Sequence, residues 1–168
     1  FDKGARILGL GYPGGVYMDK EAQKGDVNAI KFPKVNFADS PYDFSFSGVK
    51  TSIVNLVHNK QQKGEEINIA DFGASYISAV VRCLTENTLK AAQLTGQKRI
   101  VLAGGVSANS RLRRVMAEEC DKRNIKLFMP ELKYCGDNAA MVGVQAYYEY
   151  LDGNISEVAY LSMDFNRQ

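Results

Sequence analysis

The run Arg99–Arg114, RIVLAGGVSANSRLRR, constrains the fold more than any other part of the chain. Arg99 to Ala103, with the apolar residues Ile100, Val101, Leu102 and Ala103, reads as a short buried strand. Gly104 and Gly105 follow, and Ser107-Ala108-Asn109-Ser110 then offers helix-capping residue types ahead of a helix. Strand, glycine pair, capped helix: that order aims free backbone N–H groups past the strand end, where the helix dipole adds positive charge. Glycines let a ligand approach the backbone with no Cβ in the way. The chemistry this suits is anion or phosphate binding. An ordinary tight strand-to-helix connection uses the same letters, and both readings stand at this level.

A second short strand is expected over Lys126–Met129, ended by Pro130. With a crossover from Asn109 to Arg123 this makes a βαβ unit, whose strands run parallel and whose carboxyl ends point the same way. Gly104-Gly105 follows the first strand and Cys135-Gly136-Asp137-Asn138 follows the second, so both loops are expected on one edge, where ligands of α/β sheets sit. A carboxylate such as Asp137 beside a phosphate site calls for a metal cation between them. The alternative is that Asp137 caps the final helix.

Elsewhere the periodicity is helical. Phe1, Ala5, Ile7 and Leu8 form a stripe that stops at Gly11-Tyr12-Pro13-Gly14-Gly15, and a short helix is expected over about Val16–Lys24. Asn28–Tyr42, with Pro33 and Pro41, reads as loop with a strand at Ala29–Phe32. Val49, Ile53, Leu56 and Val57 mark a helix to Gln62. Asn68 is placed to cap a long helix reaching Leu94, closed by Gly96, with Phe72, Tyr76, Val80 and Leu84 on one face. Leu112, Val115, Met116 and Cys120 form the inner face of the next helix, and Ala140, Val144, Tyr147 and Leu151 that of the last. The fold class is therefore α/β and helix-rich, with a short parallel βαβ unit.

At 168 residues the chain is one domain or a large piece of one. It opens at Phe1 rather than methionine, as a fragment or processed piece would. A net charge of +2 decides nothing about nucleic acid, so local patches must carry that argument. Apolar runs fall short of a membrane span and no secretion signal opens the chain, so no membrane role is expected. Three widely spaced cysteines, Cys83, Cys120 and Cys135, suit reduced thiols in a cytoplasmic protein. Asn154-Ile155-Ser156 matches a glycosylation triplet, which also arises by chance.

Several motifs fail on context. Gly9-Leu10-Gly11-Tyr12-Pro13-Gly14 has dinucleotide-fingerprint spacing, but a helix precedes it and Pro13 breaks it. Asp71-Phe72-Gly73 spells a kinase motif inside a helical pattern without partner motifs. His58 is the only histidine, which excludes a zinc site built on several histidines of this chain; it reads as a surface residue. Arg111, Arg113 and Arg114 crowd the first turns of a helix, where cations oppose the dipole unless anions are near. That favours phosphate or RNA backbone contact, against the commoner reading of a solvated charged face.

Five stretches carry a resemblance: Phe1-Asp2-Lys3, the run Leu8–Gly15, Phe44–Lys50 (FSFSGVK), the run Leu102–Arg113 and Cys135–Met141 (CGDNAAM). Together they resemble the TsaD family of tRNA threonylcarbamoyladenosine-synthesis proteins, an older label for which is O-sialoglycoprotein endopeptidase; nothing in the residues supports proteolysis. The resemblance implies the second, carboxy-terminal lobe of an actin-like and Hsp70-like ATPase fold over residues 1–168, with an amino-terminal lobe absent and the sheet incomplete. It implies that threonylcarbamoyl passes from threonylcarbamoyl-AMP to an adenosine beside the tRNA anticodon. Asp2, Gly15, Asp19 and Asn109 would contact ATP or the adenylate, with Gly104 and Gly105 in the same pocket. Asp137 would hold one divalent metal, iron or zinc, shared with the other lobe. The implied partners are tRNA and, in bacteria, the companion proteins TsaB and TsaE. The missing strands would leave a sheet edge open to self-association. Val16 and Gly136 depart from the family pattern, which has proline and threonine there. A non-catalytic nucleotide-binding scaffold and a metabolite kinase of the same fold remain as rivals.

Overall fold

A computed structural model describes residues 1–33 and 42–154. The chain divides into two compact units, Phe1–Cys135 and Gly136–Gln168.

The first unit is built on one long helix. Asn68 opens it: its side chain accepts from the backbone N–H of Ala70 and Asp71, and the helix runs Ile69–Thr95 until Gly96 turns left-handed. Two short helices precede it, α1 (Asp2–Ile7) and α2 (Gly14–Ala22), and then α3 (Ser47–Gln62); the long helix is α4. Phe72, Tyr76, Ile77, Val80, Val81 and Leu89 of α4 are buried, so the helix presents an apolar face to several neighbours at once. Met18 of α2, Ala5 of α1 and Ile53 of α3 close on that face. Phe32 packs edge-on to Phe72 and Tyr76, at 5.7 and 5.9 Å between ring centroids.

After α4 come β1 (Arg99–Val101), a 3-10 turn (Gly105–Ala108), α5 (Ser110–Asp121) and β2 (Lys126–Phe128). β1 and β2 pair in parallel, with Ile100 opposite Leu127. This is the expected βαβ unit, and Leu112, Met116 and Cys120 of α5 are buried as expected. Among the described residues no disulfide links the three cysteines.

Some expectations need correction. Ala29–Phe32 is not a strand: Ile30 donates its backbone N–H to the Ser75 hydroxyl (3.1 Å), so α4 rather than a sheet takes the segment. The strand of the opening motif is not buried. Ile100 is half-buried, but Val101 is 73% exposed and Phe128 41%, because one two-stranded ribbon has only one covered face. The second unit's described part includes α6 (Ala139–Leu151). Its expected inner stripe, Ala140, Val144, Tyr147 and Leu151, is exposed throughout. The 34–41 part of the loop and the Asn154 triplet's last two residues lie outside the described residues. Among the described residues no helix is long and apolar enough to cross a membrane.

Candidate functional site

The amino end of α2 begins the site. Pro13 stands at the cap position and has no side-chain oxygen to offer, so the backbone N–H of Gly15 donates instead to Asp2 Oδ1, at 2.6 Å. An ionised acceptor at a helix start gains from both the hydrogen bond and the dipole. The close fit explains the glycine pair. A Cβ on Gly14 would stand 2.5 Å from the Ala5 Cβ, and one on Gly15 would stand 3.3 Å from Asp2 Oδ1.

One turn along α2 stands Asp19. Its Oδ1 accepts from Asn109 Nδ2 (2.8 Å) and from the Ser110 hydroxyl (3.0 Å), and its Oδ2 accepts from the backbone N–H of Ser110 (3.1 Å). Asn109, 8% exposed, also caps α5 by accepting from the backbone N–H of Leu112 at 2.9 Å. The anion at the amino end of α5 is therefore the carboxylate of Asp19, delivered from another helix. Asp2, Gly15, Asp19 and Asn109 thus form one connected line: α1 to α2 through Asp2, and α2 to α5 through Asp19.

A cleft of about 570 Å³ opens beside Asp2, in the size range of small-molecule sites. Phe46, Ile53 and Tyr76 supply apolar wall, and Lys3 and Lys50 supply cationic rim. Burial pushes the Tyr76 phenol up from its ordinary range, so it stays protonated. Val106 lines the same cleft and brings the glycine loop to it. Gly104 has φ +86°, a conformation L side chains rarely adopt. Both glycines of the pair are exposed, and open space surrounds the position a Cβ would take on either.

Two residues of the site, Lys50 and Ser110, carry no site signal of their own in the sequence. The Phe44–Lys50 stretch stands out only as a block, which puts Lys50 on the first turn of α3. Nothing local in the sequence connects Ser110 to Asp19.

Asp137 belongs to the second unit. It is exposed and does not cap α6: Asn138 does, accepting from Met141 N–H at 3.0 Å while its Nδ2 donates to the Gly136 carbonyl. The kinase-like triplet is structural. Asp71 accepts from the backbone N–H of Asp26 (2.8 Å), Phe72 is fully buried and Gly73 lies against Met18. Of the three arginines, Arg113 is half-buried and held by backbone: it donates to the Ser107 and Pro130 carbonyls, fastening the glycine loop to the chain beyond β2.

The model of the family described as "TsaD: tRNA N6-adenosine threonylcarbamoyltransferase" matches residues 1–144. A Clostridium perfringens protein named tRNA N6-adenosine threonylcarbamoyltransferase is 50% identical over 159 residues, covering 95% of this chain and 47% of the relative. A protein of that name from Clostridium botulinum (strain Kyoto) is 46% identical over 166 residues, covering 99% of this chain and 47% of its own length. The chain spans about half the length of the curated relatives it matches. With a family model matching from Phe1 through most of its length, the chain belongs to the TsaD family.

Proposed function

We propose that the chain is the second lobe, over residues 1–168, of an actin-like tRNA N6-adenosine threonylcarbamoyltransferase that works in the cytoplasm. In this reading the N6 amine of a tRNA adenosine beside the anticodon attacks the carbonyl carbon of threonylcarbamoyl-AMP. A C–N bond forms, the bond to the phosphate oxygen breaks, AMP leaves and the amine loses a proton. The observation that carries the reading is the pair of bonds Asp2–Gly15 and Asp19–Asn109, joined along α2, with Asp2 lining an apolar cleft that has a cationic rim. Three residues near the amino end and Asn109, 90 residues beyond Asp19, each assigned to the nucleotide by family resemblance, come together in one unit.

The chemistry of each group suits an adenylate. The Asp2 carboxylate retains lone pairs for a ribose hydroxyl. Asn109 uses one Nδ2 proton on Asp19 and has a second to donate. Lys3 and Lys50 balance a phosphate, while Phe46, Ile53 and Tyr76 exclude water from a base. Gly104 and Gly105 leave backbone accessible beside Val106.

Family resemblance also implies a divalent metal, iron or zinc, at Asp137. Among the described residues no three His, Cys, Asp or Glu side chains cluster as a metal site requires. Asp137 alone does not fit a metal, so donors outside this chain would have to complete it and no step is derived through the ion. tRNA and the companion proteins TsaB and TsaE are the partners of this reading.

Calorimetry tests the nucleotide site. AMP and ATP are expected to bind the wild-type chain and to lose at least about tenfold in affinity with Lys50→Gln and with Asn109→Ala, a loss of about 1.4 kcal/mol. Equal affinities across the three proteins would refute the site and leave a non-catalytic scaffold as the better reading. Threonine incorporation into unmodified tRNA is expected from a protein extended to relatives' full length and not from this chain. Comparable rates from both would overturn the two-lobe account.

A further inference from the structure

The arginines at the start of α5 do three different jobs. Arg113 clamps carbonyls, and Arg114 meets Glu118 one turn on, at 3.4 Å. Arg111 is half-buried; its Nη2 donates to the Ser78 hydroxyl (3.2 Å), and no ion pair among the described residues includes it. A guanidinium carries five donors and stays charged in proteins; Ser78 takes one here, and Glu118 acts on it only through space, against the like charge of Arg114, which leaves donors for an anion.

Arg111 opens a groove of about 590 Å³ between α4 and α5. Arg82 and Lys90 come from one face of α4, two turns apart or about 12 Å. Arg123 lies at the far end of the groove, already holding Glu119. Glu86 and Glu119 are the groove's two carboxylates, so cations exceed them. Thr85 lines the floor. It is 3% exposed, and its hydroxyl has no partner among the described residues, although a threonine inside a helix ordinarily bonds a carbonyl one turn back.

Arg111 also lines a neighbouring cavity of about 420 Å³ that contains Asp19 and Ser110. The groove therefore leads to Asp19 and Ser110, at the α5 end of the proposed nucleotide site. An extended polyanion reaching that site would lie along the cations on α4, whereas a single small phosphate would use only one end.

We propose that the α4–α5 groove, from Arg111 to Lys90 across Thr85, is a track for the phosphodiester backbone of the RNA substrate. It rests on the transferase reading, which supplies RNA as the substrate. Arginine forks take phosphate oxygens two at a time.

The test is filter binding of unmodified tRNA to the 168-residue chain over a salt series, with AMP calorimetry in parallel. Arg82→Gln and Lys90→Gln, both at exposed positions, are expected to weaken tRNA binding several-fold each. Each should lower the slope of log affinity against log salt by about 0.7–0.9. Lys98→Gln, away from the groove, is expected to leave binding unchanged. Arg111→Gln should weaken tRNA further, with a melting curve to confirm folding. Unaltered tRNA affinity and slope in the Arg82 and Lys90 variants, with AMP still bound, would overturn the track and leave the transferase reading standing. Failure of the wild-type chain to bind AMP would instead strike that reading, and failure to bind tRNA would overturn the track. Full competition by millimolar inorganic phosphate would make this a free-phosphate site, and polyglutamate binding as tight as tRNA would make it a peptide groove; either refutes the proposal.

Discussion

Two buried hydroxyls, those of Thr85 and Ser107, have no hydrogen-bond partner among the described residues. A hydroxyl removed from water without compensation opposes folding. Ser107 is 1% exposed, so Ser107→Ala is expected to be neutral or to stabilise by up to about 1 kcal/mol in urea denaturation. A loss above that would mean a hidden acceptor. Asn109→Ala is expected to behave oppositely, costing about 1–2 kcal/mol, because it removes a helix cap and one of the donors that hold Asp19. Cys120 gives a pH-dependent case. Burial pushes its thiol up, so the folded state holds that proton more tightly than the unfolded chain. This contribution to stability is fully present below the ordinary thiol range and is lost as pH rises from there through the raised value, since the unfolded state releases its proton first. Denaturation midpoints of wild type and Cys120→Ala should converge or cross at high pH, where the wild type alone loses this stability. The same burial should make Cys120 resistant to alkylation until the chain unfolds.

At the scale of elements, α4 organises everything it touches, and its ends were legible in the sequence. Asn68 and Gly96 act within a few residues of themselves, and so does the Asn109 cap of α5. Local rules reach that far. They do not reach Asp19, whose carboxylate meets Ser110 from 91 residues away; the letters suggested bare amides at that helix end, and the fold fills it with a carboxylate. Ala29–Phe32 misled for a related reason: its residue types suit a strand, but Asp26 and Ile30 find their partners on α4 through Ser75 and Asp71. That docking brings backbone against backbone at Gly25, where a Cβ would stand 2.1 Å from the Ala70 carbonyl oxygen. Gly25→Ala is therefore expected to cost at least about 2 kcal/mol in a thermal or urea melt, among the larger effects of adding one methyl group. A change under about 0.5 kcal/mol would show that the loop and the first turn of α4 separate freely.

For the whole molecule, the uncovered apolar surface dominates behaviour in solution. Val101 and Phe128 stand on the uncovered face of the β1–β2 ribbon, and in the second unit Val142, Tyr150 and Leu151 of α6 are each more than half exposed. Exposed groups of this kind favour association. Sedimentation velocity is expected to show concentration-dependent oligomers that diminish with Val101→Lys and Phe128→Lys; a monomer at all concentrations would contradict this. The apolar patterns of both regions are those of covered faces, and what a pattern cannot carry is which polypeptide does the covering. The Asp19 joint carries a different consequence, one for time rather than equilibrium. Bringing α2 to α5 closes a loop of some 91 residues, at an entropic cost of about 4 kcal/mol by the logarithmic law. The α4–α5 and β1–β2 pairings close much shorter loops and have every advantage in forming first. Loosening the joint with Ser110→Ala should therefore hasten unfolding while barely slowing refolding, so that the first two helices act as a latch that is last to close and first to open.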